Sequence, residues 1–133
     1  GKWIAEQIIL EMERKNINIR KANILIMGFT FKENCSDIRN TRVIDLIKHL
    51  ASYKINLDII DPLVNKKDVN DVYHIDIKNN IPTNKKYSVV IATVAHDDFI
   101  NIKFEYWLSL IKSNGFFFDV KGFLPRELKA IRL

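Results

Sequence analysis

A doubly wound α/β fold, Rossmann-like, with a mainly parallel sheet and helices on both faces, is the architecture that the sequence predicts. Three observations point to it. Short apolar runs such as "NILIM" and "YSVVIATVA" lack polar alternation, the mark of strands buried on both faces. Stretches with helical apolar spacing separate them. Each apolar run gives way to a polar loop, opened by Gly28, Asp61, His96 or Asp119.

Residues 3–15 predict the first helix, because Ile4, Ile8 and Met12 fall on one stripe with Ile9 and Leu10 beside it. "NINIRKAN" breaks that pattern. "NILIMG" predicts a buried strand closed by Gly28. In "TRVIDLIKHLASY", Val43, Ile44, Leu46, Ile47 and Leu50 predict a helix, with Asn40 or Thr41 as its N-cap. "INLDIIDP" predicts a strand stopped by Asp61-Pro62. Residues 63–85 are polar and broken, with one candidate strand over 73–77. "YSVVIATVA" gives the strongest strand, β-branched and uninterrupted. "IKFEYWLSLIK" predicts a helix ended by Asn114-Gly115, then "FFFDV" a strand. "LPRELKAIRL" predicts a last helix with Pro125 in its first turn. The first helix precedes the sheet and has little of its own to pack on. It therefore reads as the end of an element of something larger.

The chain has 133 residues, which suits one core. At that size folding buries roughly 65–70% of the unfolded surface. Its hydrophobic share, 47%, is too high for a disordered chain. No apolar run approaches the ~20 residues needed to cross a bilayer, so no membrane partner is expected. A single cysteine, Cys35, excludes an internal disulfide and a thiolate metal cluster. A reducing, cytoplasmic location is expected from that usage. Lysine and arginine exceed acids by 21 to 16, giving +5, which favours anionic partners. The excess is spread in pairs with no basic helix face or aromatic ladder, so no nucleic-acid partner is expected.

In an open α/β sheet, ligands bind beyond the carboxyl ends of the strands. "GFTFKENCSDIRN", "DPLV", "AHDD" and "DVKG" should converge there. A dinucleotide fingerprint is absent: Gly28 stands alone where G-x-G-x-x-G needs three glycines. Phosphate would have to be held by side chains such as Lys32, Arg39 and Lys121, and by amides at the helix start near Asn40. Each candidate has a bland reading beside the functional one. Lys32 is also an ordinary solvated lysine, and Phe31 an ordinary core residue. Asp37 and Arg39 pair across a turn. Cys35 has no base beside it in sequence and reads as a loop residue. His96 with its two following aspartates has the residue types of half a metal site, but no second His-rich segment complements it. Asp97 or Asp98 as a helix cap fits better. Asp61 and Asp119 end strands, where carboxylates accept hydrogen bonds from loop amides.

"ILIMGFTFKENCSDIRNTRVIDLIKHL", followed in order by "DIIDPLV", "VVIATVAHDDF" and "FFFDVKG", resembles the C-terminal domain of the UDP-glucose/GDP-mannose dehydrogenase family. The Asn34-Cys35 form of the first motif resembles the branch acting on UDP-N-acetylhexosamines, whose uronic acid products feed bacterial capsule and O-antigen. The resemblance implies that residues 1–16 are the tail of a central helical region and 17–133 a UDP-sugar-binding domain. It implies Phe31, Lys32 and Lys121 as substrate-binding residues, and Arg39 as reaching NAD across a domain cleft. It further implies a parent, expected to be a homodimer, whose other domains hold NAD and the catalytic cysteine. That parent would oxidise the sugar C6 alcohol twice, through a thiohemiacetal, with two NAD. No catalytic residue and no metal ligand is expected in the present sequence. A stand-alone nucleotide-binding or regulatory α/β module without catalysis is the competing reading. Such a receiver-like module needs an acidic cluster where Gly28 and Phe29 stand.

Overall fold

The computed structural model describes residues 1–133. Strands β1 (Asn23–Met27), β2 (Asn56–Ile60), β3 (Tyr87–Ala92), β4 (Ile111–Asp119) and β5 (Ile131–Arg132) form one sheet. Their order is β2-β1-β3-β4-β5, and every pairing is parallel. Helices α1 (Lys2–Arg14), α2 (Val43–Ala51), α3 (Lys66–Tyr73), α4 (Asp97–Ile100) and α5 (Phe104–Ser109) accompany it. No helix is long and apolar enough to cross a membrane.

Strand periodicity divides the apolar residues between two layers. Ile24, Ile26, Val89, Ile91, Phe116 and Phe118 join Ile8 and Met12 of α1, Leu50 of α2 and Val69 of α3 in one core. Leu25, Met27, Val90 and Phe117 join Phe99 of α4 and Trp107 of α5 in the other. The doubly wound reading therefore holds. The three consecutive phenylalanines serve both faces, and Phe117 meets Trp107 edge to face at 6.1 Å between centroids.

Several expectations need correction. Helix α1 does have a surface to pack on: Ala5, Ile8, Ile9 and Met12 are buried in the first core. The middle segment holds a helix, α3, where only a strand over 73–77 was expected. Asn65 caps it by accepting from the Asp68 amide, and His74 ends it in the left-handed region. The predicted helix over 102–112 is shorter, because β4 already starts at Ile111. Asn114-Gly115 lies inside that strand and does not end a helix. A Cβ at Gly115 would stand 2.7 Å from the Ser88 carbonyl oxygen, so this glycine permits strand contact at an irregularity in the β3–β4 register. The C-terminal segment makes one 3₁₀ turn, Arg126–Leu128, and then β5 in place of a helix. Lys129, left-handed at φ 52°, stops the turn.

Gly28 ends β1 and turns the chain towards the polar loop. Its amide donates to the Ile60 carbonyl at 2.8 Å, and its φ is +112°, a conformation that side chains disfavour. A Cβ there would meet Val94 Cβ at 2.6 Å. Gly28→Ala is expected to destabilise the protein by at least about 1–3 kcal/mol. Urea unfolding should show a lower midpoint at an unchanged slope; an unchanged midpoint would refute the role given to Gly28.

Candidate functional site

All five strands run the same way, so the loops after β1, β2, β3 and β4 emerge at one edge. Asp61, the residue after β2, ties the first three together. Its side chain is fully buried, and its Oδ2 accepts from the Phe29 amide at 2.8 Å and the Thr30 amide at 3.2 Å. The same oxygen lies 2.9 Å from His96 Nε2, and Oδ1 accepts from the Leu63 amide at 2.9 Å. Burial pushes this carboxyl upward, but the hydrogen bonds from His96, Phe29 and Leu63 outweigh it and hold the group below its ordinary range. Other loop groups are satisfied as fully. Thr93 Oγ1 shares its one proton between the Met27 and Gly28 carbonyls, at 2.8 and 2.6 Å, and Thr41 Oγ1 donates to the Phe29 carbonyl.

Asp119 does the same at the end of β4. It accepts from the amides of Gly122 and Leu124, both at 2.8 Å, and from Arg132 Nη1 at 2.8 Å. The loop carrying Lys121 is thereby fixed. The expectation that both aspartates bind loop amides is met.

Between these two held loops lies a cavity of about 380 Å³. Thr30, Phe31, Lys32, Arg42, Thr93 and Lys121 line its polar side, and Ile4, Val43, Leu46, Val94 and Val120 its apolar side. No acidic residue lines it. None of Lys32, Arg42 and Lys121 takes part in an ion pair. Phe31, offered in its bland reading as core, is instead 52% exposed. An exposed aromatic among unpaired cations beside an apolar wall suits an anion joined to a flat or ring-shaped group.

The structure thus brings Phe31, Lys32 and Lys121 together. It does not bring Arg39 with them as a phosphate ligand. Arg39 points to solvent and grips Asp37 through two contacts of 3.0 Å, Nε to Oδ1 and Nη2 to Oδ2. Those hydrogen bonds hold the Asp37 carboxyl at about 2, well below its usual range. Arg42, which sequence reasoning did not single out, stands in the cavity wall. Its signal was its place just before a helix, since it is the N-cap position of α2. That corrects the assignment of the cap to Asn40 or Thr41, although Thr41 Oγ1 still accepts from the Val43 amide at 3.2 Å. Neither Asp97 nor Asp98 caps α4; both lie in its first turn, and Asp97 Oδ1 accepts from Asn34 Nδ2 at 3.2 Å. Cys35 is half-buried, and its Sγ accepts from the Asp37 amide at 3.3 Å.

The loop after β1 does not fit a dinucleotide. In that cofactor's usual site, loop amides are free to hold a pyrophosphate. Here the Phe29 and Thr30 amides already bind the Asp61 carboxylate, an internal anion.

The UDP-binding domain model of the UDP-glucose/GDP-mannose dehydrogenase family matches residues 25–126. The chain is 38% identical over its whole length to the UDP-N-acetyl-D-glucosamine 6-dehydrogenase of Salmonella typhi. It is 35% identical, again over its whole length, to the Pseudomonas aeruginosa enzyme of that name. It spans 31% of the length of each. A solved NDP-N-acetyl-D-galactosaminuronic acid dehydrogenase from Methanosarcina mazei Go1 shares the fold at a TM-score of 0.81 and 14% identity. That match covers 96% of the present chain and 26% of the other.

Asp61 supplies a prediction with a pH signature. Asp61→Asn keeps the shape but loses acceptor capacity beside buried donors, a change expected to cost about 3 kcal/mol near neutral pH. The folded-state pKa is lowered. The carboxylate's stabilisation is therefore complete above the unfolded pKa, near 3.9, and is lost as pH falls through the lower folded value. Urea titrations at about pH 7 and about pH 3 should show the gap between parent and variant narrowing in acid. A gap that widens would overturn the assignment.

Proposed function

We propose a function from one established premise: the chain belongs to the UDP-glucose/GDP-mannose dehydrogenase family, as a UDP-binding domain. In this reading it binds the UDP-sugar of an NAD-dependent nucleotide-sugar 6-dehydrogenase. The substrate is a UDP-N-acetylhexosamine, the class named by the two curated relatives. Residues 1–16 are the end of a central helical region, and 17–133 form the UDP-sugar-binding domain. The acid-free cavity that gathers Phe31, Lys32, Arg42 and Lys121 carries the reading.

The roles follow from the chemistry of each side chain. A diphosphate needs cations without competing carboxylates, and Lys32, Arg42 and Lys121 supply them. Lysine meets phosphate as a point charge, so Lys32 and Lys121 are suited to a flexible diphosphate more than to a planar carboxylate. Phe31 offers its exposed face to uracil or to the sugar ring. Arg39, held by Asp37 and open to solvent, is the residue proposed to face NAD on another domain. NAD supplies hydride acceptance when bound there; the loop after β1 supplies no site for it. The present residues bind and orient the sugar nucleotide, and the chemistry belongs to the rest of a parent, proposed as a homodimer.

Two outcomes are expected. The 133-residue chain alone should produce no NADH from UDP-N-acetylglucosamine; production at the rate of a family enzyme would end the proposal. In the parent, Lys32→Ala removes a charge-assisted hydrogen bond worth roughly 1.5–3 kcal/mol. The Michaelis constant for the UDP-sugar should rise on the order of ten- to a hundred-fold, while the thermal midpoint hardly moves. A constant within about twofold of the parent's would show that the loop is not the phosphate wall.

A further inference from the structure

We infer that His96 is the positioning residue of the lysine-bearing loop, and that its neutral imidazole fixes where the Lys32 ammonium meets the ligand's phosphates. The inference rests on the reading of the cavity as a UDP-sugar site. Its evidence lies in the buried network behind the cavity.

His96 is fully buried. Its Nδ1 accepts from the Asn34 amide at 2.9 Å. A ring nitrogen that accepts carries no proton, so the imidazole proton sits on Nε2. Nε2 lies 2.9 Å from Asp61 Oδ2 and 3.2 Å from Thr30 Oγ1. Nε2 carries one proton, shared between Asp61 Oδ2, the nearer acceptor, and Thr30 Oγ1, whose own hydroxyl proton goes to the Lys32 carbonyl at 3.0 Å. The imidazole therefore reaches the backbone on both sides of Lys32. It takes the Asn34 amide directly and the Lys32 carbonyl through Thr30.

The stretch from Thr30 to Asp37 has few other anchors, with Thr41 and Tyr73 holding the Phe29 and Ile38 carbonyls on either side of it. It has no strand or helix, and the Phe31 amide bonding to the Asp37 carbonyl at 3.0 Å is its one internal backbone bond. Asn34 adds a reciprocal pair with Asp97, donating Nδ2–H at 3.2 Å and accepting from the Asp97 amide at 2.9 Å. Asn34 is left-handed at φ 57°, which asparagine tolerates better than most residues. Phe31 and Lys32 both project from the few residues between Thr30, whose amide is held by Asp61, and Asn34, held by His96 and Asp97. Preorganising a binding loop lowers the entropy lost when the ligand arrives. Histidine suits the task because its acceptor and donor stand on opposite sides of one rigid ring.

The test uses the full-length parent with UDP-N-acetylglucosamine. His96→Ala should raise its Michaelis constant on the order of tenfold, with a smaller change in turnover. Thr30→Val keeps the shape and removes the hydroxyl link, so it should raise the constant in the same direction even if His96→Ala fails to fold. His96→Gln, with one acceptor and one donor group, should recover part of the loss. Hydrogen exchange in the peptide spanning 29–41 should accelerate in His96→Ala and Thr30→Val. Because His96 acts largely through Lys32, the Lys32→Ala/Thr30→Val double variant should lose less affinity than the two single losses combined. Additive losses, or faster exchange with an unchanged Michaelis constant in both single variants, would overturn the inference. An inert Lys32→Ala would instead overturn the cavity reading, and the exchange data would still report whether His96 holds the loop.

Discussion

The site depends on one buried carboxylate. Asp61 takes hydrogen bonds from the amides of Phe29, Thr30 and Leu63 and from His96. Those donors belong to the loops after β1, β2 and β3, so a single side chain closes three strand ends together. Burying an isolated carboxylate is prohibitively costly, and the four donors offset that cost. The arrangement is cooperative for the same reason: removing any loop from the set leaves a buried charge short of partners. Asp119 repeats the device on the other half of the sheet edge, with Arg132 of β5 as its ionic partner. The cavity lies between the two clamps, and each clamp holds the loop of one cavity lysine.

A carboxylate where this fold commonly seats a phosphate changes what the domain can bind. The amides that would cradle a pyrophosphate are consumed internally by Asp61. A phosphorylated ligand would then be held by side chains, and Lys32, Arg42 and Lys121 line one wall. Cations with structural duties are paired instead: Arg132 with Asp119, and Lys85 and Lys78 with Asp58. The net charge of +5 therefore says little by itself.

The sheet was legible because its strands are buried on both faces and so read as plain apolar runs. The convergence of four polar loops followed from that, since parallel strands share one carboxyl edge. What escaped the sequence was whatever depended on few apolar residues or on long-range contacts. Helix α3 buries only Val69, too little for a periodic stripe; its cap Asn65 and its Lys67–Asp71 pair at 3.2 Å were the available signals. Asn114-Gly115 has the composition of a turn, yet Gly115 serves a close contact with Ser88, invisible without the neighbouring strand. The C-terminal segment looked helical in isolation, but Arg132 is drawn to Asp119 and Leu124, and β5 follows.

The missed helix bears on the site as well as the fold. Tyr73, its last residue, donates from its hydroxyl to the Ile38 carbonyl at 2.6 Å, and its ring meets Phe29 edge to face at 5.3 Å. Phe29 is fully buried next to exposed Phe31, two residues apart in "FTF" with opposite fates. The alternation has a physical cause: Asp61 fixes the amides of Phe29 and Thr30, Tyr73 packs the Phe29 ring inward, and the Phe31 ring is left to the cavity. Composition treats the two phenylalanines alike. Only the hydrogen bonds that orient the backbone between them decide which becomes core and which faces the cavity.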